Sequence, residues 1–437
     1  MHAKSWVGLA VLILFAGAWS HACTHDSTDA PQPVSTATLR RWSKPVRLAP
    51  RSAKPLVAAP TSGQAVVLWH DPWAHELVAR RYARRWLEAQ KLPLDARGAR
   101  DLHLMTSARG DVIALWWRQT QTGGEILAAR LTGTWQAPQV VWSSAHGQPR
   151  AIATAMNGAG AGALVFQTRE ASSTTIWLLR LDPTAGWQAP EAVTDPADWG
   201  EQPAVAVDAS GAIDVAWLST MQPKPGLWTR ERTRAGWQTP VRLGSDRSTT
   251  RVDIAVGPEG SAVVLATIGD GLWAAWRSKG AWSAPAEVDP DTPNEPVLTD
   301  TECLPQVAFD GSGGAVVLWE ELVERRGRRP NLQVVVRAAT GRAGQPWRAS
   351  VLDTGDDYAN AALAVGANGS AAVLFLHVTP IARRLLLSTL GAGGWQTERT
   401  EFVGRAPALA VDPKGGLTML WMKVEGSDTG LWARRSR

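Results

Sequence analysis

The feature that most restricts the fold of this chain is a glycine that recurs about every 50 residues, each time followed six positions later by a bulky side chain. The glycines are Gly63, Gly110, Gly160, Gly211, Gly260, Gly313, Gly369 and Gly415. The partners six residues on are Trp69, Trp116, Phe166, Trp217, Ala266, Trp319, Phe375 and Trp421. Seven of these eight partners are large aromatic residues. A fixed period of this length indicates a repeat architecture with one supersecondary unit per copy.

A second series of tryptophans runs in step with the first and opens a W-x-x-P-like segment in each copy. Its members are Trp42, Trp86, Trp135, Trp187, Trp237, Trp282, Trp347 and Trp395. The chain has 24 tryptophans but only 2 tyrosines and 5 phenylalanines, as expected when one motif is copied many times. Because both series keep a fixed position in the repeat, we expect these indoles to form a core between repeats. We prefer this interpretation to the alternative that the tryptophans form a surface for stacking on sugars.

Each copy contains the signals for four short strands. In the fourth copy these are residues 203–207, 213–217, 227–230 and 237–243, and Asp208 to Gly211 forms the turn between the first two. Short, evenly spaced strands with periodic glycine and aromatic residues are the signature of a β-propeller. We therefore predict an all-β, eight-bladed β-propeller of four-stranded blades, with seven blades or two smaller propellers as the alternatives.

The two ends of the chain supply one blade between them. The last copy stops after its third strand, at residues 430–434, and an isolated fourth strand is found at residues 42–48. Joining them closes the ring and removes an open sheet edge. The predicted organisation is a signal peptide over 1–22, a flexible tether over 23–38 and the propeller over 39–437.

The amino terminus has the pattern of an export signal. Lys4 precedes an apolar stretch at 7–18, which is short for a membrane span, and small residues lead to Cys23. A cysteine at this point resembles the lipobox of bacterial lipoproteins, so we predict lipidation of Cys23, anchoring to a membrane and a location in the cell envelope. Simple secretion is the alternative.

The order of signals within a repeat, D-x-x-G, a strand ending in tryptophan and then W-x-x-P-x-x-L, resembles the sialidase-like propellers with bacterial neuraminidase repeats. The likeness covers residues 42–437 and concerns the blade pattern. The family's Asp-box, S-x-D-x-G-x-x-W, has its nearest counterpart at Asp182 and Trp187, without the serine or the middle glycine. The resemblance implies that a sialidase-type exo-glycosidase would bind an acidic sugar with arginines and use a tyrosine nucleophile with a glutamate and an aspartate.

The candidate ligand site lies on the face formed by the loops that enter the first strands. Arg100, Arg150, Arg251 and Arg405 stand nine or ten residues before their turn glycines, and we predict that they form a cationic rim at the channel mouth. Such arginines require either acidic loop residues, in 194–203 and 353–361, or an anionic ligand. Trp199 falls outside the repeat pattern and is a candidate for ligand stacking, as are Trp73 and Trp142.

Tyr358, Glu320 and Asp357 are the catalytic candidates, with Asp356 and Glu321 beside them, and no spacing selects them over ordinary loop residues. We predict no metal and no cofactor, because the histidines are scattered and the acids Asp289, Asp291, Asp300 and Glu302 fit loop acidity better than a calcium site. The net charge of +5 and the absence of a compact basic run argue against nucleic-acid binding. The predicted function is a monomeric, exported, non-enzymatic propeller that binds a protein or glycan on its loop face. The sialidase-type enzyme is the alternative.

Overall fold

The computed structural model describes residues 41–436 apart from short gaps at 51, 94–95, 97, 122, 146, 171–172, 196–198, 220–224, 245–248, 291–295, 298–303, 326–330 and 424–428. The predicted signal peptide, tether and lipidated Cys23 all lie outside this part of the chain. Among the described residues, no helix is long and apolar enough to span a membrane.

Eight antiparallel sheets make up the propeller, which confirms the predicted fold and blade number. The first strands of successive blades contact one another all the way round, and the first strand of blade 8 contacts that of blade 1. In blades 1 to 5 the fourth strand is split into two short segments that both pair with the third strand.

The split-edge blades have the following strands, with the two segments of the fourth strand last. Blade 1 contains Ala53–Ala58, Gln64–Asp71, Glu76–Ala83, Arg85–Trp86 and Gln90–Lys91. Blade 2 contains Ala99–Thr106, Val112–Gln119, Gly124–Thr132, Thr134–Trp135 and Gln139–Ser144. Blade 3 contains Arg150–Met156, Gly162–Glu170, Ser173–Asp182, Gly186–Trp187 and Glu191–Ala192. Blade 4 contains Gly200–Val207, Ile213–Ser219, Gly226–Thr233, Gly236–Trp237 and Val241–Gly244. Blade 5 contains Thr249–Val256, Ala262–Ile268, Gly271–Ser278, Ala281–Trp282 and Ala286–Glu287.

The other three blades have an unbroken fourth strand. Blade 6 contains Gln306–Phe309, Ala315–Arg325, Asn331–Gly341 and Arg348–Gly355. Blade 7 contains Ala362–Val365, Ala371–Thr379, Ala382–Gly391 and Gly394–Val403. Blade 8 contains Arg405–Val411, Leu417–Lys423, Gly430–Arg435 and the amino-terminal strand Val46–Ala49. Val46 pairs with Ala433, so the predicted closure of the ring by both chain ends is confirmed. The short 3-10 turn Pro258–Gly260 joins the first two strands of blade 5.

The D-x-x-G turns are stabilised by their first residue. The Oδ1 atoms of Asp208, Asp310 and Asp412 each accept hydrogen bonds from the backbone N–H groups two and four residues later, at 2.8–3.0 Å. The glycine that follows has a φ of 86° in Gly211 and 87° in Gly415, which a side chain would strain. The turn thus needs both residues of the motif.

The hydrophobic core consists of eight clusters, and each one combines side chains from two neighbouring blades. Every junction receives one of the residues found six positions after a turn glycine, and all eight of these are at most 3% exposed. The predicted role of this series as core between blades is therefore confirmed.

The W-x-x-P tryptophans do not lie in the core between blades as predicted. Of the eight, only Trp135 is fully buried, and the others are half-buried at the outer edge of the ring. Arginines from the third strands cover some of these rings, with the Arg230 guanidinium carbon 4.9 Å from the Trp237 ring centroid. These indoles cover the outer edge of each blade, because no further blade packs outside the fourth strand.

Candidate functional site

In blades 1 to 5 and 8 the first strand begins with a β-bulge at the face where the ligand site is predicted. In blades 2, 3 and 8 the residue after the predicted ligand-binding arginine is in the left-handed region, with φ values of 46° at Asp101, 48° at Ala151 and 50° at Ala406. The register of each first strand shifts at this point. Such bulges redirect a side chain locally, and the repetition of the same bulge places the three preceding arginines in equivalent backbone positions.

Arg100, Arg150 and Arg405 are exposed, and none of the three forms an ion pair with any residue that the structure describes. The guanidinium carbon of Arg100 lies 5.5 Å from the Trp117 ring centroid, and the indole N–H of Trp117 donates to Asp101 at 2.8 Å. Blades 8, 2 and 3 carry the arginines, so blade 1 lies between the first two. We call these three residues the rim arginines.

Arg251 does not belong to this set, which corrects the prediction of four equivalent arginines. The position in blade 5 that corresponds to the rim arginines is Thr250, ten residues before its turn glycine. The half-buried Arg251 guanidinium donates instead to Oε1 of Gln202 in blade 4, at 2.5 Å. The bulge in blade 5 lies between Thr249 and Arg251, so the arginine is one residue out of phase.

Side chains of one blade also accept hydrogen bonds from backbone N–H groups of the innermost strand in a neighbouring blade. The backbone N–H of Gln202 in blade 4 donates a hydrogen bond to Oε1 of Gln167 in blade 3, at 2.8 Å. The carboxylate of Asp253 accepts the N–H of Val307 in blade 6, at 2.9 Å. Burial raises the pKa of Asp253 to about 6. These contacts pair backbone groups that the innermost strands would otherwise leave without partners.

The three tryptophans outside the repeat pattern have different environments. Trp73, in the loop between the second and third strands of blade 1, is 72% exposed. Trp199 is half-buried, with a φ of 46° and the Arg169 guanidinium carbon 5.8 Å from its ring. Trp142 packs edge-on against Phe166 at 4.8 Å, so the prediction that it stacks on a ligand is wrong. Trp73 is thus the most accessible indole on the rim side.

The catalytic candidates lie at the junction of blades 6 and 7. Glu320 is 2% exposed, and its two carboxylate oxygens accept the backbone N–H groups of Ala359 and Ala361, at 2.9 Å each. Asp357 forms an exposed ion pair with Arg383 at 3.1 Å and accepts the N–H of Tyr358. Tyr358 is 42% exposed. In this arrangement Glu320 anchors the segment that carries Tyr358.

The acids beside this junction are neutralised by a shared arginine. Arg337 contacts Glu321 at 2.6 Å and Asp289 at 3.0 Å, and the indole N–H of Trp319 also donates to Glu321. Burial raises the pKa of Glu321. Asp289 was one of four acids considered for calcium, and Asp291, Asp300 and Glu302 lie outside the described residues. Within the described part of the chain, no group of three or more His, Cys, Asp or Glu side chains has the arrangement of a metal site.

Asp182, the nearest counterpart of the Asp-box aspartate, caps the turn before the fourth strand of blade 3. Its Oδ1 accepts hydrogen bonds from the backbone of Ala185 and from the hydroxyl and backbone of Thr184. These bonds, that of Ala185 foremost, lower the pKa of Asp182 to about 2. The aspartate therefore has a local structural role in this blade.

No protein-family model matches the chain, and no curated protein does so. Several solved structures are similar to it at low identity. A Hadza microbial sialidase is 14% identical, with a TM-score of 0.42 over 78% of this chain and 76% of that one. The six-bladed fucose-binding lectin of Aleuria aurantia is 13% identical, with a TM-score of 0.39 over 70% and 97%. An ulvan lyase is 10% identical, with a TM-score of 0.45 over 82% and 95%.

Proposed function

We propose that this protein is a non-enzymatic propeller that binds a carboxylate-bearing glycan at the rim arginines. The observation that carries the proposal is that Arg100, Arg150 and Arg405 occupy equivalent backbone positions in three blades. All three are exposed and have no carboxylate partner among the described residues. Guanidinium groups bind carboxylates through two parallel hydrogen bonds, which makes arginine suited to acidic sugars. Loops 194–203 and 353–361 were expected to supply acids that neutralise these arginines. None of the described acids in the two loops forms an ion pair with a rim arginine.

The accessible indole of Trp73 adds to this proposal. Blade 1, which carries Trp73, lies between the blades of Arg405 and Arg100. Aromatic rings that present an exposed face commonly contact the apolar side of a ligand, while charged groups fix its orientation. An exposed indole on the blade between those of two rim arginines thus favours a carboxylated sugar over a purely ionic partner.

The test is calorimetric titration with an acidic oligosaccharide and with the same oligosaccharide after its carboxylates are reduced to alcohols. Arg150→Ala should weaken binding of the acidic form roughly 10- to 100-fold, because hydrogen bonds to charged groups contribute about 1.5–3 kcal/mol. Binding should also weaken as salt rises, since these groups are exposed. Arg348→Ala is the matched control, because Arg348 is exposed at the start of an outer strand on the opposite face.

Two results would contradict the proposal. The first is equal affinity for the acidic and reduced oligosaccharides. The second is a preference for an acidic protein over every acidic glycan offered, which would assign the rim to protein recognition. Analysis of the recovered oligosaccharide tests the sialidase-type alternative directly, since an exo-glycosidase would release its terminal acidic sugar.

We further propose that the protein is exported and attached to a membrane through a lipid on Cys23. The support is the sequence pattern alone, with Lys4, the apolar stretch at 7–18 and the small residues before the cysteine. A membrane-attached propeller that binds a glycan would act at the cell envelope.

A further inference from the structure

Large hydrophobic side chains that are exposed to solvent concentrate at one end of blades 6 and 7. The described residues include nine such side chains. Five of them lie at the end of these two blades where the first and third strands begin, namely Leu304, Leu332, Tyr358, Ile381 and Val403. We call these five residues the apolar patch, and they lie at the same end of the ring as the rim arginines. Patches of this kind mark surfaces that contact a partner or a membrane.

The most exposed member of the apolar patch lies at the tip of a closed hairpin. Ile381 is 96% exposed and joins the strands Ala371–Thr379 and Ala382–Gly391. The Thr379 hydroxyl accepts a hydrogen bond from the N–H of Ala382 at 3.1 Å and donates one to the Ala382 carbonyl at 3.3 Å. These two bonds close the turn, so Ile381 projects into solvent, where its contact with water is unfavourable.

Basic side chains lie beside this tip on one face of blade 7. His377 pairs directly with Arg384 across the second and third strands, and Arg399 pairs with Leu386, two residues from Arg384. Directly paired residues, and residues two apart in a strand, share a face of the sheet. Arg384 and Arg399 are exposed, and their guanidinium groups form no ion pair or hydrogen bond with any described residue. Like charges side by side on a sheet repel one another, and a bound anion would relieve this repulsion.

The equivalent position in the other blades never brings two basic side chains together. His377 stands eight residues after its turn glycine. The pairs at this position in blades 1 to 6 and 8 are Asp71–Glu76, Arg118–Glu125, Thr168–Thr175, Ser219–Gly226, Ile268–Gly271, Glu321–Val335 and Lys423–Gly430. In blade 2 the pair is an ion pair, with 2.9 Å between Arg118 and Glu125. The basic pair is therefore specific to blade 7.

A cavity of about 240 Å³ lies between the basic side chains and the hairpin tip. Its lining residues are His377, Thr379, Ile381, Ala382, Arg384, Leu386 and Arg399. The volume is smaller than the roughly 300–1,000 Å³ of sites that enclose a whole small molecule. A cavity with cationic and apolar walls and of this size fits the phosphate end of an amphiphilic molecule.

The charged side chains around the cavity leave an excess of positive charge. Three acids each have a basic partner, in the pairs Asp353–His377 at 2.7 Å, Asp357–Arg383 at 3.1 Å and Glu401–Arg434 at 3.9 Å. The described charges that remain at this end of blade 7 are Arg384, Arg399 and the exposed Asp356. Two cations against one anion attract a negatively charged surface.

We propose that the apolar patch docks on a bilayer that contains anionic phospholipid, with a lipid phosphate at Arg384 and Arg399 and with Ile381 in the apolar layer. Guanidinium groups bind phosphate oxygens through parallel hydrogen bonds. Attachment at a lipid interface combines buried apolar area with attraction to anionic lipids. A projecting tip suits a fluid lipid layer, whereas protein interfaces hold their anchoring residues in well-packed pockets. The docking is separate from glycan binding at the rim arginines and does not need a lipid on Cys23.

The experiment is cosedimentation of the full chain carrying Cys23→Ser with vesicles of phosphatidylcholine alone or of phosphatidylcholine and phosphatidylglycerol in equal parts. Every sample has the same amino terminus, so the ratio of the two partition coefficients reports the patch. The mixed vesicles should bind about tenfold better or more. Arg384→Gln together with Arg399→Gln should lower partitioning onto the mixed vesicles by about tenfold or more, since each arginine near an anionic surface contributes roughly fivefold.

Ile381→Ser should lower this partitioning by about tenfold, because the apolar side chain no longer enters the lipid. The matched controls are Arg348→Gln and Val140→Ser, which are exposed away from the patch and should bind as the parent does. All of these side chains are exposed, so the melting temperatures should stay nearly equal.

Calorimetric titration with inorganic phosphate distinguishes a lipid headgroup from a soluble phosphate. Binding of free phosphate without a preference for the mixed vesicles would assign the cavity to a soluble phosphate compound and overturn the docking. Equal partitioning onto the two kinds of vesicle would overturn it too, as would parent-like partitioning of the arginine double variant or of Ile381→Ser. Acidic-glycan binding should respond to Arg150→Ala and be unaffected by these variants, so the rim proposal and the docking proposal fail separately.

Discussion

The carboxylate of Glu320 accepts a hydrogen bond from the backbone N–H of Ala361 at 2.9 Å, across the junction between blades 6 and 7. Its second oxygen accepts the N–H of Ala359. One side chain therefore holds a loop of the next blade in place, at a point where the peptide groups are buried away from water.

Removal of this carboxylate should destabilise the fold. Glu320→Ala leaves two buried N–H groups without this acceptor, and each unpaired group costs about 1–3 kcal/mol. We expect the free energy of unfolding to fall by roughly 2–4 kcal/mol, measured from urea denaturation. Glu88→Ala, at an exposed position, is the control and should change stability by less than about 0.5 kcal/mol. An unaltered unfolding midpoint for Glu320→Ala would contradict the anchoring role.

The contact between the chain ends should be required for stability. The Arg434 guanidinium carbon lies 5.4 Å from the ring of Trp42, and the N–H of Ser43 donates to the carbonyl of Arg435 at 2.8 Å. Trp42→Ala should lower stability by about 2–4 kcal/mol, less than for a fully buried indole. Removal of the chain up to Ala49 should expose the strand Gly430–Arg435 as a free edge and cause aggregation. Melting temperature and soluble yield are the measurements.

Trp73→Ala is the matched control for this prediction. The indole is 72% exposed, so its loss should leave the melting temperature nearly unchanged. Equal melting temperatures for Trp42→Ala and the parent would mean that the amino-terminal strand does not contribute to the closed ring.

His103 should make the fold sensitive to acid. Burial lowers the pKa of His103 from 6.5 to about 4. Between these two pH values His103 takes up a proton in the unfolded chain and not in the folded one, so the contribution of His103 to stability is lost as the pH falls from 6.5 to 4. The shift corresponds to about 3 kcal/mol. His103→Leu should remove this loss, so the melting temperature of the variant should rise relative to that of the parent as the pH falls over this range.

The exposed His75 supplies the control for the pH series, since His75→Asn keeps a residue that tolerates its φ of 54°. The slope between pH 6.5 and 4 should persist in this variant. Parallel slopes in His103→Leu and the parent would show that another group is responsible.

Lipid attachment predicts a change of fractionation. Cys23→Ser removes the thiol that would be acylated, so the protein should move from the membrane fraction to a soluble one. Mass spectrometry of the mature amino terminus is the direct measurement. A parent protein with an unmodified amino terminus and the same fractionation as Cys23→Ser would argue for simple secretion.

The blade pattern could be predicted from the sequence because each of its signals has a local cause. A glycine with positive φ, an aspartate that caps its own turn and an aromatic residue six positions later each specify their position within one repeat. Asp208, Gly211 and Trp217 illustrate the three signals in one blade. The ring closure was also predictable, because one strand was missing at one end and present at the other.

The sites could be predicted less well, since they depend on contacts between repeats. Arg251 shares the composition of the rim positions, but its bulge shifts it by one residue and directs it to Gln202. The ion pair between blades 4 and 5 had one signal in the sequence, because Asp214 interrupts an apolar strand. The meaning of this signal depends on Arg277, which is 63 residues from Asp214 and meets it only when blades 4 and 5 are side by side.

The broken fourth strands limit where a further β-strand could add to the outer edge of the ring. Blades 1 to 5 present their outermost backbone in segments of two to six residues, interrupted in four of the blades by a proline of the W-x-x-P motif. A foreign strand needs a continuous row of free peptide groups to add to a sheet. Arg348–Gly355 and Gly394–Val403 alone provide rows of eight and ten residues. The outer edge of the ring is therefore uneven, and the two neighbouring blades 6 and 7 carry its longest unbroken strands among the described residues.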